Sequence, residues 1–289
     1  MAGLPSAALT LLEQWLQDRL SPDALSWYQG RLEKLAEDRD FYLAIALAPR
    51  KLGKADLAPT HEERSKAEQI CPGWTPSRWT VDQTARIAFL LSSPEERFRP
   101  RLDQLCSTGD MGEQITLYQA LPLYPNPESL VSRATEGLRT NVVPVFEAVA
   151  HANPFPKDQF SEAEWNQMVL KALFVGSRLH PILGLDKRAN EALANTLIDY
   201  AHERWAAHRE VSPELWRCVG PFLEDTSLPD IQKVWIGGDT LSKQAAGLAL
   251  ASSKLPAAKA LLDTDPTLSQ AIDREEVSWG RIYQALTSS

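Results

Sequence analysis

The residues best suited to chemistry lie between Arg139 and Phe222. Asp199-x-x-His202-Glu203 sets a carboxylate, an imidazole and a second carboxylate near one helical face, because residues three and four apart are neighbours on a helix. That grouping suits a polar ligand contact, or one part of a metal site. A metal needs three or four ligands in matched geometry, and a di-metal carboxylate bundle needs Glu-x-x-His on two helices plus further Glu residues. One approximate half-motif is present, so no metal is expected, and the reading divides between a solvated charged face and a polar ligand site.

His151 falls at a helix end, just before Asn153-Pro154-Phe155-Pro156. It suits capping of the last carbonyls, or a ligand contact or general base, since a free imidazole titrates near neutrality. Asn166 and Gln167 open a run that continues to Lys171. Asparagine is a mediocre helix former, so it must be exposed or buried with its amide satisfied. Asn141, Asn153, Asn190 and Asn195 pose the same alternatives. Arg139, Arg178, Lys187 and Arg188 sit near helix ends, where cations could hold a phosphate or carboxylate or simply face water. Five rings in this stretch, Phe146, Trp165, Tyr200, Trp205 and Trp216, could bury a planar substrate or form ordinary core.

Established catalytic signatures are missing. The sequence has no Walker loop, GxGxxG, HExxH or GxSxG, and Gly237-Gly238 lacks a following Lys-Ser/Thr. No cofactor is expected. The net charge of -8 disfavours non-specific nucleic-acid binding, which needs clustered cations against phosphate. Cys71, Cys106 and Cys218 are widely spaced and form no CxxC pair, as expected for reduced, buried thiols in the cytoplasm. The N-terminal residues read as a helix rather than a signal peptide, and no apolar run approaches the ~18 residues of a spanning helix. Peripheral association with a membrane complex stays open.

The elements that must carry these residues are helical. Apolar residues are 44% of the chain and glycine is sparse at 14, a mixture that favours helix over sheet. Proline, at 20 residues, sits mostly at run boundaries, where it starts helices. Ser21-Pro22-Asp23, Thr80-Val81-Asp82-Gln83, Ser161-Glu162-Ala163-Glu164, Ser212-Pro213-Glu214 and Asp265-Pro266 are start signals. The run at residues 40–48 is apolar all round, implying burial on every side or close packing on the next helix pair. Residues 49–79 are the least regular, with Trp74 and Trp79 expected to pin the connection to the body. Asn153–Pro156 reads as a loop, and 116–125 has a weak strand alternative. The fold class is all-α: stacked antiparallel helical hairpins in an irregular HEAT-like array, or a helical bundle. Three regions are expected within one continuous unit. They are N-terminal helices and connection over 1–79, a central helical region over 80–222, and short C-terminal helices over 223–289.

Three blocks carry a family resemblance: NPFP, then WNQMVLKALFVGSRLHPILGLDKRAN, then LIDYAHERWAAHREVSPELWRCVGPFL. Through them the chain resembles the EboA family of bacterial and cyanobacterial gene clusters. The flanking helices resemble it more loosely. The resemblance implies metabolite traffic: moving a secondary-metabolite precursor out of the cytoplasm, notably in clusters for the indolic-phenolic sunscreen scytonemin. Neighbouring genes there resemble a prenyltransferase, a TatD-like hydrolase, a dehydroquinate-synthase-like enzyme and a sugar-isomerase-like barrel. The family brings no established catalytic residues.

Three functions follow as expectations. The first is a cytoplasmic helical adaptor or small-metabolite-binding protein for such a system. Its ligand would be a small aromatic or phosphorylated metabolite, its partners the proteins of the same cluster. The second is an enzyme on a metabolite of that kind, with Lys171, His151, His202 and Glu203 as first candidates. The third is a scaffold presenting a concave face to cluster enzymes.

Overall fold

The structure is a computed structural model that describes residues 3–76 and 79–288; residues 77 and 78 of the irregular connection lie outside it. Among the described residues the named elements are all helices, and an isolated antiparallel bridge pairs Asp56 with Thr80. The fold is an all-α helical array. By internal packing the chain divides into two compact units, Met1–Phe160 and Ser161–Ser289.

The first unit contains α1 (Leu4–Gln17), α2 (Pro22–Leu32), α3 (Asp38–Leu52), α4 (His61–Ile70), α5 (Val81–Leu91), α6 (Glu95–Thr108), α7 (Met111–Gln119), α8 (Val131–Arg139), α9 (Val143–Ala150) and α10 (Pro154–Gln159). Helix α5 is its axis. It packs against α1, α3, α6 and α7, and its run from Ile87 to Leu90 is wholly buried. Helix starts follow the sequence signals. The Ser21 hydroxyl accepts from Ala24 N–H, Pro22 occupies the first turn, and the Gln83 carboxamide accepts from Thr80 N–H at 2.9 Å.

Trp74 and Trp79 pin the irregular connection as expected. Each is 2% exposed. Trp74 lies parallel to Trp15 with ring centroids 6.3 Å apart, and both indole N–H groups donate to Gln119, at 2.9 and 2.6 Å. The connection before α3 is held differently. Arg101 is 1% exposed and donates to Asp38 from Nε and Nη2 at 3.0 and 2.9 Å, with Nη1 on Ser93 at 3.0 Å. A buried guanidinium is tolerable only when paired and fully bonded in this way.

Two local expectations change. The 40–48 run is buried along one face, through Phe41, Ala44, Ile45 and Ala48, while Leu43 stays 40% exposed. Asn153–Pro156 is not a loop. The Asn153 side chain accepts from Phe155 N–H at 3.0 Å and caps α10, because prolines at 154 and 156 suit a first turn that needs no N–H donors. Residues 116–125 are helix and tight turn, with no strand.

The second unit contains α11 (Glu162–Phe174), α12 (Leu185–Arg188), α13 (Glu191–Ala206), α14 (Trp216–Val219), α15 (Leu228–Gly237), α16 (Thr240–Ser252), α17 (Pro256–Leu262), α18 (Pro266–Asp273) and α19 (Trp279–Ser288). Helix α16 is the axis here, touching α14, α15, α17, α18 and α19. The Ser161–Glu164 capping box forms, with Ser161 N–H on the Glu164 carboxylate at 2.8 Å. It sets the frame that turns Trp165, Met168, Val169, Ala172 and Leu173 inward, all buried. Tight turns around Pro213 and Pro221 flank the one-turn helix α14, which carries Trp216.

Trp165 is 0% exposed, and its indole N–H is buried without an acceptor. Trp165→Ala is expected to cost ~3–5 kcal/mol in urea or guanidinium melts, as for other buried aromatic truncations. Trp165→Phe should cost clearly less, because it deletes an unbonded buried donor along with some volume.

Candidate ligand-binding site

The polar residues of the 139–222 stretch fall into three structural roles. Some seal irregular backbone. Asn153 is 2% exposed, and its Nδ2 donates to the carbonyls of Tyr118 and Ala148, both at 3.0 Å, while its oxygen caps α10. Asn166 and Asn190 form a reciprocal amide pair, at 3.1 and 2.9 Å. Asn190 also caps α13 through Leu193 N–H at 2.8 Å and donates to the Arg188 carbonyl at 3.1 Å. The interior asparagines are therefore satisfied by protein.

Others sit at the surface. Arg139, Asn141, Gln167, Asp199, His202 and Glu203 are exposed. Asp199, His202 and Glu203 do not converge on a common point of chemistry. His202 instead meets Asp230 of α15, Nε2 to Oδ1 at 2.7 Å. A third set is half-buried. His151 lies 4.0 Å from Glu147 across one helical turn. The Arg188 guanidinium covers the Trp165 ring at 4.6 Å, and burial holds the Lys171 ammonium below the ordinary lysine range. No three of the described His, Cys, Asp and Glu side chains are grouped as a metal site would require. The three cysteines are free and buried, and burial pushes the Cys106 and Cys218 thiols up to about 12 and that of Cys71 to about 11.

A cluster the sequence reading did not single out holds the 176–190 connection. The Glu214 carboxylate, 2% exposed, accepts from Leu179 N–H at 3.2 Å and His180 N–H at 2.8 Å. Arg217 grips Asp186 with two hydrogen bonds, at 2.6 and 2.7 Å, and its Nη1 lies 3.1 Å from His180 Nδ1. A guanidinium only donates, so Nδ1 accepts and the imidazole proton is on Nε2. The ring also stacks on Tyr283, centroids 4.8 Å apart. Burial first, and Arg217 second, hold His180 below its ordinary value of 6.5.

A concavity of small-molecule size lies beside this cluster in sequence but is lined by different residues. It is an open cleft of about 520 Å³ between the C-terminal end of α13, the turn before α14, α15 and the start of α16. Trp205 and Trp216 form its aromatic wall, centroids 6.1 Å apart and planes 26° apart. Trp216 is 1% exposed and fixed, whereas Trp205 is half-buried. Lys233 lays its ammonium over the Trp205 ring at 3.9 Å. The lining includes these two rings of the five named from sequence and none of the polar candidates. The size suits a small organic ligand, for which pockets run from about 300 to 1,000 Å³.

A second concavity, of about 480 Å³ in the first unit, is walled by Arg19 and Glu63. Those groups already bond each other twice, at 2.8 Å each, and Arg19 also holds the Leu57 carbonyl. They have little left for a ligand.

A family model described as metabolite traffic protein EboA matches residues 8–220. The chain belongs to the EboA family. Its role lies in metabolite handling. No curated protein and no solved structure matches the chain. Within the EboA match fall the cleft residues Trp205, Glu210, Val211, Pro213 and Trp216; Lys233 and the start of α16 lie beyond it. Sequence reasoning reached the two rings through their aromatic character. It missed Lys233, whose meeting with Trp205 spans the turn into α14 and has no local signal.

Two outcomes are expected. Asn153→Ala removes a cap and strips a donor from two buried carbonyls, so urea midpoints should report a loss of about 1–3 kcal/mol. His180 has a folded-state value below its unfolded 6.5, so the unfolded chain binds the extra proton. Stability from this group is present above that value and is lost as pH falls through it. Urea midpoints should drop between pH 7.5 and 5.5, and His180→Gln should flatten that drop.

Proposed function

We propose that this EboA-family protein is a non-catalytic, cytoplasmic metabolite-binding adaptor. Its α13–α16 cleft holds a planar aromatic metabolite while that compound passes to the enzymes and exporters of its pathway. The observation that carries the reading is the pair of stacked indoles at the cleft wall, one fixed and one half-buried. Flat apolar faces recognise flat ligands through dispersion and offset stacking. The titratable groups at the cleft are few, and Asp239 is already committed to capping α16 through Ser242 N–H at 2.7 Å. His202 lies beside the Trp205 ring, centroids 5.9 Å apart, but its Nε2 is engaged by Asp230 at 2.7 Å and neither residue lines the cleft, which favours holding over turnover. The buried thiols suit a reducing compartment.

The test is calorimetric titration with 2-naphthamide, a neutral flat probe, on the whole chain and on Trp205→Ala. Trp205 is only half-buried, so the variant should keep its fold by circular dichroism. Stacking of this kind is worth ~1.4 kcal/mol, so affinity should fall about tenfold. Equal affinity for the two proteins would remove the cleft from the proposal, and no binding to either would remove a neutral aromatic ligand.

A further inference from the structure

We infer that Lys233 selects the ligand of the cleft, and that this ligand is a planar aromatic compound bearing an anionic group, a carboxylate or a phosphate. The inference rests on the aromatic-cleft reading and names its ligand class.

The molecule contains its own comparison. Two lysines of neighbouring helices lie over tryptophan rings. Lys243 of α16 sits 5.1 Å from the Trp235 ring centre and is tied to Asp265, Nζ to Oδ2 at 2.8 Å. Lys233 of α15 sits closer, 3.9 Å from the Trp205 centre, yet makes no ion pair with any described residue. One ammonium has its counter-charge within the fold. The other has only the face of a ring, a contact worth about 0.5–2 kcal/mol.

The two acids that also line the cleft do not supply the missing charge. Asp239 is turned to the first turn of α16, where Ser242 N–H and the adjacent backbone hold its carboxyl below the usual range. Glu210 is exposed and pairs with no described cation; the Arg204 guanidinium on that segment donates to the Glu210 backbone carbonyl, at 2.9 Å.

A flat ring that stacks on Trp205 must take the face Lys233 now covers. The ammonium is carried on a flexible four-carbon stem, so it can slide to the edge of the incoming ring. A neutral ligand loses the cation–π contact and gives nothing back. An anionic substituent at that edge replaces it with a charge-assisted hydrogen bond beside an apolar wall, which is stronger. An ammonium substituent would meet like charge. Glu210 and Asp239 line the same cleft, so the selection acts where the ligand meets Lys233 at the face of Trp205.

The experiment is isothermal titration calorimetry at low salt with four probes of one ring system: 2-naphthoate, 2-naphthyl phosphate, 2-naphthamide and 2-naphthylmethylammonium. The proteins are the whole chain and Lys233→Met, which keeps the apolar stem and removes the charge. The native chain should bind both anions at least tenfold tighter than the amide, with the ammonium weakest. In Lys233→Met the anions should fall to the affinity of the amide, while amide binding persists. Equal binding of anions and amide by the native chain overturns the inference and leaves the aromatic cleft standing. So does a preference for anions that survives in Lys233→Met, or tightest binding of the ammonium. Binding of none of the four by either protein overturns the cleft reading itself.

Discussion

A helix enclosed on every side must be thin, and that constraint shapes each unit of this molecule. Interaxial distances follow the side chains at the contact. In the second unit α16 turns Ala245, Ala246, Gly247 and Ala249 to its neighbours, all buried. At Gly220 the approach is closest: a Cβ there would stand 2.6 Å from the Ala249 carbonyl oxygen and 2.7 Å from its Cα. At Gly247 it would press Ile272 and Trp235, at 3.0 and 3.3 Å. These glycines let α16 be surrounded while larger residues outside fill the volume. In the first unit α5 solves the same problem with Ala85 and Ala88 beside Ile87, Phe89 and Leu90. Of its two buried polar residues, Asp82 and Thr84, the latter is absorbed by bonding its hydroxyl to the Thr80 carbonyl at 2.9 Å.

Short helices around a thin axis leave many ends and turns, and every end exposes backbone groups that need partners. This explains the polar density of the 139–222 stretch. Asn153, Asn190 and Glu214 each answer an unpaired backbone N–H, and Asn153 answers two carbonyls besides. Arg217 then neutralises Asp186 and holds His180 in one tautomer. A sequence reader sees amides, carboxylates and a histidine among aromatics and thinks of a site. Much of that chemistry is spent in holding the chain's own backbone together.

The legibility of the fold follows the range of the forces involved. Capping is local, so Ser21, Ser161 and Asp265 announced their helices and the structure has them there. Periodicity is local too, and Trp165, Met168, Val169, Ala172 and Leu173 all turned inward as their spacing required. The failures sit where local signals conflict or run out. Two prolines made Asn153–Pro156 look like a broken chain, though proline in a first turn is compatible with a capped helix. The run at 41–48 is apolar on all sides, and only the number of neighbours decides how much of it is buried. The cleft was half legible: the rings Trp205 and Trp216 could be named, but not the lysine that meets them. His202 illustrates the limit best. Its spacing pointed to Asp199 and Glu203 on its own helix, while its partner is Asp230 on another.

The cleft itself follows from the thin-helix rule. Trp216 belongs to a one-turn helix pressed onto α16, so its ring is buried. Trp205 stands near the end of a long helix, where its half-buried ring meets Trp216, His202 and the Lys233 ammonium. Opposite them the chain passes from α15 to α16 through Gly237 and Gly238, which bring no side chains to fill the space. A rigid ring backs a looser one, and a lysine on a flexible stem is the cover. Such an arrangement favours a ligand that is held by its plane, chosen by its charge and released without bond chemistry. A protein that carries a metabolite between other proteins needs those three properties, and an unpaired Lys233 joins the second to the third, because the same side chain that selects the ligand can reclaim the ring when the ligand leaves.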